Sequence, residues 1–168
     1  MAPPKPPTIS TTLAKKPITN PIALLLGALT LTPFEVTQVY QALAGDGFAM
    51  PLRSINAVMD QQGTLLQRYP YTIKQTLEPS ATYLTNKILQ EVMREGTGRS
   101  AYQQLPRDLQ LAGKTGTTND LKDSWFAGYT GDYLAVFWVG RDDNKSTSLT
   151  GSSGALELYI RYLKHLYY

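Results

Sequence analysis

The sequence predicts an α+β fold in which helices are combined with an antiparallel sheet. Two observations favour this class. Three segments carry apolar residues at helical spacing, whereas the last third alternates short apolar segments with brief polar turns. Turns this short join antiparallel neighbours, because a parallel pair requires a long crossover. The expected order is helix, hairpin, helix, three strands and helix.

The first helix is expected to begin at Pro33. Thr32 suits the N-cap position, proline suits the first helical position, and Glu35 follows the cap by three residues, as in a capping box. Gly45-Asp46-Gly47 is expected to end the helix. Its apolar positions are Phe34, Val36, Val39, Ala42 and Leu43.

The middle of the chain predicts a hairpin and a second helix. The hairpin strands are expected at 54–59 and 64–69, around a turn that ends at Gly63. The helix is expected from Ser80, which would be its N-cap, to Arg94. Its expected buried face consists of Tyr83, Leu84, Ile88, Leu89, Val92 and Met93.

The last third predicts an antiparallel meander and a closing helix. The strands are expected at 109–114, 124–129 and 133–139, and the helix after Gly151-Ser152-Ser153-Gly154. The expected buried side of this helix consists of Ala155, Leu158, Tyr159, Tyr162, Leu163 and Leu166. The strand aromatics expected in the core are Trp125, Phe126, Phe137 and Trp138.

Composition excludes several classes of function. The 168 residues carry a net charge of +3, 42% hydrophobic and 17% charged residues, which predicts a packed core and argues against a nucleic-acid partner. The absence of cysteine excludes disulfides and Cys-ligated zinc, and a single histidine, His165, excludes a multi-His metal site. We expect His165 to be a surface or packing residue, and we predict no metal or cofactor.

The start of the chain differs from the rest. Residues 1–20 are proline-rich and predict a linker or a ragged start, with the domain itself at 21–168. The longest apolar stretch, Ile22–Leu31, is about half of the roughly 20 residues that span a bilayer. We therefore expect this chain to have no membrane segment of its own.

The segment from Ala112 to Asp120, with the sequence AGKTGTTND, is the strongest candidate for a binding site. Small residues allow a ligand to approach the strand backbone, lysine supplies positive charge, and the threonines add hydroxyl donors. Such a strand suits an extended anionic ligand. The alternative is an ordinary glycine-interrupted edge strand with a solvated lysine, since a KTG tripeptide alone often matches by chance.

Several segments together resemble the penicillin-binding proteins. LAGKTGTTND and DSWFAGYTGDYLAVFWVGRDD resemble the KTG strand and the two following strands of that family. GALTLTPFEV and the sequence up to Gly63 resemble its helix and hairpin, and EVMREGTGRSAY resembles the helix and turn before the KTG strand. The resemblance extends from about Leu26 to the C-terminus. WFAG, FWVGRDDN and GSSGAL resemble the class A, or bifunctional, members.

The resemblance implies a partial serine transpeptidase fold whose N-terminal part is missing from this chain. Family members are DD-transpeptidases that cross-link the stem peptides of peptidoglycan and are acylated by β-lactams. The implied partners are stem peptides, glycan strands derived from lipid II, β-lactam antibiotics and the missing part of the domain. The implied location of the parent protein is the periplasmic side of the bacterial cytoplasmic membrane.

The resemblance also implies roles for individual residues. Lys114, Thr115, Gly116, Thr117 and Thr118 would form the substrate-binding strand, with Lys114 setting the electrostatics of the cleft. The hydroxyls of Thr115 and Thr117 would lie near the ligand carboxylate. The backbone N–H of Thr117 would be one of two oxyanion donors, and the nucleophilic serine would supply the other.

The family nucleophile is absent from the sequence. In S-x-x-K the lysine takes the proton of the serine, and no serine of this chain has lysine at the third following position. Thr12-Leu13-Ala14-Lys15 is the nearest imitation, and Ser54-Ile55-Asn56 matches S-x-N only as a string, inside the hairpin. We therefore expect the chain to begin after both motifs and to contain no catalytic residue.

Three readings of function follow from this absence. The first is a part of a transpeptidase that cross-links peptidoglycan in the intact protein. The second is a non-catalytic module that binds stem peptides, and the third is a lobe that complements a separately encoded N-terminal half. Under the first reading, the isolated chain should be poorly stable and inactive, and its last strand should expose an edge prone to aggregation.

Overall fold

The computed structural model describes residues 31–167. The predictions for the proline-rich start at 1–20, for Thr12 and Lys15, and for most of the apolar stretch from Ile22 lie outside the described residues. In chain order the elements are helix α1 (Pro33–Ala44), strands β1 (Phe48–Ala49), β2 (Ala57–Met59), β3 (Leu65–Arg68) and β4 (Lys74–Gln75), helix α2 (Pro79–Arg94), strands β5 (Ala112–Thr117), β6 (Ser124–Tyr129) and β7 (Leu134–Val139), and helix α3 (Ala155–Tyr167). Short 3-10 helices lie at Arg99–Gln103 and Asn119–Leu121.

The α+β fold class is confirmed, and the described part of the chain centres on a three-stranded antiparallel sheet. Its strand order is β5-β6-β7, and Thr115, Phe126 and Phe137 lie side by side across it. Strand β5 runs from Ala112 to Thr117, three residues later at both ends than the expected 109–114, and it begins late because the preceding residues are bound elsewhere. The Tyr102 hydroxyl donates to the carbonyl of Leu109 and accepts from the N–H of Leu111.

Helix α1 begins and ends where the sequence predicts. The Thr32 hydroxyl accepts from the N–H of Glu35 at 3.2 Å, and the Glu35 carboxylate accepts from the N–H of Thr32 at 2.8 Å. This reciprocal pair is the capping box. Fewer apolar side chains of this helix are buried than expected. Ala42 is its only buried residue, and Phe34 is 52% exposed.

The hairpin is formed by β2 and β3, which are shorter than the predicted strands. Their turn contains Gly63 at a φ of +81°, a conformation that L side chains rarely adopt, and the Asp60 carboxylate accepts two backbone N–H groups. Pairing begins only at Ala57, opposite Arg68. Strands β1 and β4 form a second, two-residue pair that the sequence did not predict.

Helix α2 corrects two expectations. Its N-cap is Glu78, whose carboxylate accepts the N–H groups of both Ser80 and Ala81, so Ser80 lies inside the helix. These donors, with the Ser80 hydroxyl foremost, lower the pKa of Glu78. The expected apolar face is only partly buried: Leu89 and Met93 are enclosed. Tyr83, Leu84 and Ile88 are 60%, 61% and 64% exposed.

The main core lies between the sheet and helix α3. Phe126 is fully buried, with its ring centroid 4.6 Å from that of Tyr159. The buried members of this core are Met93, Ala101, Leu105, Leu111, Phe126, Ala155, Leu156, Tyr159, Ile160 and Leu163. Burial raises the pKa of the Tyr159 hydroxyl.

Two expectations about core membership are wrong. The buried face of α3 is rotated around the helix axis relative to the expected face. Leu156 and Ile160 are enclosed, whereas Leu158 is 40% and Tyr162 39% exposed. Trp138 is 45% exposed rather than buried, because successive residues of a strand point to opposite faces of the sheet and it is Phe137 that packs against Tyr159 in the core.

Candidate functional site

The predicted KTG strand forms one edge of the sheet. Strand β5 pairs with β6 on one side only, and no other described strand pairs with its opposite edge. An edge strand of this kind leaves alternate backbone groups available to an extended ligand. The structure therefore places the candidate residues where a peptide-like molecule could add along the sheet.

The hydrogen-bond alternation identifies which backbone groups face this free edge. The N–H of Thr118 donates to the carbonyl of Asp123 at 3.1 Å, so these two residues form a hydrogen-bonded pair. The next pair, Thr117 and Ser124, is then a non-hydrogen-bonded one, because the two kinds of pair alternate in an antiparallel ladder. The N–H and carbonyl of Thr117, and likewise those of Thr115, thus point away from β6.

Lys114 brings positive charge to the same edge. Its side chain is exposed, and its Nζ donates to the carbonyl of Thr115 at 2.9 Å. That carbonyl is one of the groups directed away from β6, so the lysine side chain lies along the free edge. A carboxylate at this edge would meet an ammonium group together with backbone donors.

The two threonine hydroxyls lie on one face of β5, because residues two apart in a strand point to the same side. Thr115 is 8% exposed, and its Oγ1 lies 2.6 Å from Oγ1 of Thr97. Thr117 is exposed, and its Oγ1 accepts the N–H of Gly151 at 2.9 Å. Both hydroxyls are therefore held by groups distant in sequence.

Gly116 and Thr118 complete the predicted set. A Cβ added at Gly116 would lie 3.1 Å from the Cβ of Trp125, so the absence of a side chain permits close packing against the neighbouring strand. The Thr118 hydroxyl donates to the Asp123 carboxylate at 2.9 Å and accepts the N–H of Asp123. Thr118 thus stabilises the turn between β5 and β6.

Two turns that contact β5 were not identified as part of the site. The Gly96-Thr97-Gly98 segment was identified only as part of a turn that precedes the KTG strand, and Gly151–Gly154 only as preceding a helix. Thr97 reaches Thr115, and the Gly151 N–H reaches Thr117. The available signal was the presence of hydroxyl residues between two glycines in each turn, one in the first and two in the second, but it does not specify the contact.

The single histidine, His165, and the acidic turn residue Asp143 are surface residues. His165 is exposed on α3. Asp143 forms ion pairs with Arg141 and Lys145, and the hydrogen bond from Arg141 lowers the pKa of this carboxyl to about 2. Between residues 31 and 167 no group of three or more His, Asp or Glu side chains could hold a metal ion.

The chain belongs to the penicillin binding protein transpeptidase domain family, which it matches over residues 8–155. The expected partial fold of this family is therefore confirmed. Within the described residues no helix has the length and apolarity needed to cross a membrane.

The chain is similar to penicillin-binding protein 1B of several bacteria, in agreement with the resemblance of its class A segments. It is 43% identical to the protein from Vibrio cholerae over 143 residues and 46% identical to that from Escherichia coli over 142 residues. These alignments cover 85% and 84% of the chain but 18% and 17% of the relatives. The chain thus spans less than a fifth of their length.

Solved structures with the same fold include two penicillin-binding proteins. Penicillin-binding protein 1A from Haemophilus influenzae superposes with a TM-score of 0.78 at 24% identity, covering 86% of this chain and 27% of that one. A ceftriaxone acyl-enzyme complex of penicillin-binding protein A from Mycobacterium tuberculosis gives 0.72 at 16% identity, covering 91% and 37%. At these identities the likeness concerns the fold.

Proposed function

We propose that this chain supplies the substrate-binding strand of a serine DD-transpeptidase that cross-links peptidoglycan stem peptides, and that the nucleophile lies in another part of the intact protein. The observation that carries the proposal is the free edge of β5. Lys114 and the outward backbone groups of Thr115 and Thr117 line this edge, and the hydroxyls of the two threonines lie on one face of the same strand. The proposed ligands are stem peptides and β-lactams, and the proposed site of action is the peptidoglycan strands of the periplasm.

Each group at the edge has a task in acyl transfer. Lys114 and the threonine hydroxyls hold the carboxylate of the stem peptide or antibiotic, which aligns the carbonyl that the serine attacks. The Thr117 N–H, directed outward, stabilises the negative charge that develops on that carbonyl oxygen. The loss of one such donor costs about 2.7–4 kcal/mol of transition-state stabilisation in enzymes of this kind.

The nucleophile must come from outside this sequence, because none of its serines has the required lysine. Incubation of the 168-residue chain with benzylpenicillin, followed by intact-mass measurement, should therefore give no adduct. A stoichiometric adduct on one residue would show an unrecognised nucleophile and would contradict this division of the site.

The binding role is tested in a complete transpeptidase. In the hybrid, residues 26–168 of this chain replace the matching segment of the E. coli relative, which is 46% identical over 142 residues. Fluorescent penicillin should label the hybrid at the serine of the host protein. Failure of the folded hybrid to react, while the host protein reacts, would contradict the proposed function.

A matched pair of lysine substitutions assigns the effect to the edge. Lys114→Ala in the hybrid should slow acylation about 10- to 100-fold, since a hydrogen bond to a charged group contributes roughly 1.5–3 kcal/mol. Lys145→Ala removes an exposed lysine that pairs only with Asp143 at 3.3 Å among the described ion pairs, and it should leave the rate within about twofold. Equal rates for the two variants would exclude Lys114 from the site.

A further inference from the structure

Thr97 lies in a turn that is tightly fixed after helix α2. The N–H groups of Gly96 and Gly98 both donate to the carbonyl of Val92 at 3.1 Å. A Cβ at Gly96 would lie 2.8 Å from that same carbonyl oxygen, and one at Gly98 would collide with the sulfur of Met93. The two glycines therefore allow a compact turn that presents the Thr97 side chain in one place.

A second turn, at Gly151 and Ser152, holds the backbone of Thr97. The Ser152 hydroxyl donates to the carbonyl of Thr97 at 2.9 Å, and the adjacent Gly151 N–H donates to the Thr117 hydroxyl. A Cβ at Gly151 would lie 2.7 Å from the carbonyl oxygen of Gly116, so this turn packs directly against β5. Two turns thus hold one face of the strand.

The 2.6 Å separation between the Thr97 and Thr115 hydroxyl oxygens constrains their protons. Only one of the two protons can lie between the oxygens, so the other is directed elsewhere. When Thr97 is the donor, the Thr115 hydroxyl is an acceptor on that side and its own proton is available to another acceptor. A negative charge at the free edge favours this arrangement, because a hydrogen bond to an anion is the stronger one.

We propose that Thr97 is a positioning residue for carboxylate recognition: by donating to Thr115 it directs the Thr115 hydroxyl proton to the ligand carboxylate. This inference rests on the proposed function and adds a residue outside the KTG strand to its site.

The inference predicts an effect specific to the ligand carboxylate. In the hybrid, Thr97→Val keeps the shape of the side chain and removes its hydroxyl. Acylation by benzylpenicillin should slow about five- to tenfold, because one hydrogen bond to a charged group loses its alignment. Acylation by benzylpenicillin methyl ester, which has no free carboxylate, should change by less than about twofold.

Rescue by a conservative variant separates orientation from packing. Thr97→Ser keeps the hydroxyl and should restore the benzylpenicillin rate to within about twofold of the unsubstituted hybrid. An equal fall for benzylpenicillin and its ester in Thr97→Val, or no fall for either, would overturn the inference while leaving the proposed function intact. An unsubstituted hybrid that penicillin does not acylate would instead overturn both.

Discussion

Helices α2 and α3 both carry an amphipathic apolar stripe, but they bury it to very different extents. Helix α3 encloses Leu156, Ile160 and Leu163 completely against the sheet. Helix α2 encloses Leu89 and Met93 but leaves Leu84 61% and Ile88 64% exposed. The difference shows that a helical stripe predicts an apolar surface, whereas burial also requires a partner of matching width.

The largest expected effect comes from truncating one leucine in each of the two helices. Leu163→Ala in α3 should lower the free energy of unfolding by about 2–5 kcal/mol, because it removes a fully buried side chain and leaves a cavity. Leu84→Ala in α2 is the same substitution on an exposed helical face and should cost less than about 0.5 kcal/mol. Urea unfolding of the 168-residue chain measures both changes, in a stabilising osmolyte such as sucrose because the isolated chain is expected to be poorly stable.

Two outcomes would alter the view of α2. Equal losses for the two variants would mean that Leu84 is covered in solution, for example by self-association of the chain. A loss confined to Leu84→Ala would place the stabilising core on the opposite side of the sheet. Measurement at two protein concentrations distinguishes self-association from packing within one chain.

The turn that supports β5 gives the next effect. Gly151→Ala places a Cβ 2.7–2.9 Å from backbone atoms of Gly116 and Trp125, which cannot move as a flexible side chain can. Forcing extra volume into such a site costs about 1–3 kcal/mol. Gly131→Ala is the control, since a Cβ there meets nothing within 4 Å. Thermal unfolding of both variants checks the prediction, and equal melting temperatures would show that the turn yields easily.

The parts of the fold that the sequence predicts correctly are those fixed by neighbouring residues. The capping box of Thr32 and Glu35 and the Gly63 turn each depend on a few adjacent positions. The predicted α2 cap, Ser80, was wrong because glutamate is not among the residues that commonly cap helices, and only the three-dimensional geometry shows that the Glu78 carboxylate reaches two N–H groups.

In the candidate site, too, only the part that depends on neighbouring residues could be predicted from the sequence. Its strand could be predicted because the motif is contiguous, from Lys114 to Thr118. The supporting contacts could not, because Thr97 lies 18 residues before Thr115, and Gly151 lies 34 residues after Thr117. Local patterns do not determine which distant turns meet one strand, since that depends on how the helices pack.

The dependence of stability on pH can test the packing around Tyr129, on the α1 and α2 side of the sheet. Its hydroxyl donates to the Asn86 side chain at 2.6 Å, and burial, aided by nearby Tyr40 and Asp46, raises the pKa of Tyr129 to about 12. The folded protein therefore favours the neutral hydroxyl. This contribution is complete below pH 10, the ordinary pKa, and is lost as the pH rises toward 12.

The expected alkaline loss from Tyr129 is about 1 kcal/mol at pH 11, because ionisation is then nearly complete in the unfolded chain and slight in the folded one. Urea unfolding at pH 8 and pH 11 should show this loss for the natural chain and a smaller loss for Tyr129→Phe. Identical alkaline losses would mean that the Tyr129 side of the sheet opens to water.

The smallest effect concerns the two helix caps. Thr32→Ala removes the α1 cap and should lower the free energy of unfolding by about 1 kcal/mol, since the N–H of Glu35 loses the Thr32 hydroxyl as its acceptor and the Glu35 carboxylate loses that hydroxyl as a donor. Ser80→Ala leaves the α2 cap in place, because the Glu78 carboxylate still accepts two backbone N–H groups, and it should cost less than Thr32→Ala. Urea unfolding of the two variants ranks them. The reverse order would show that the Ser80 hydroxyl, which donates to Glu78, is what holds that carboxylate over the end of α2.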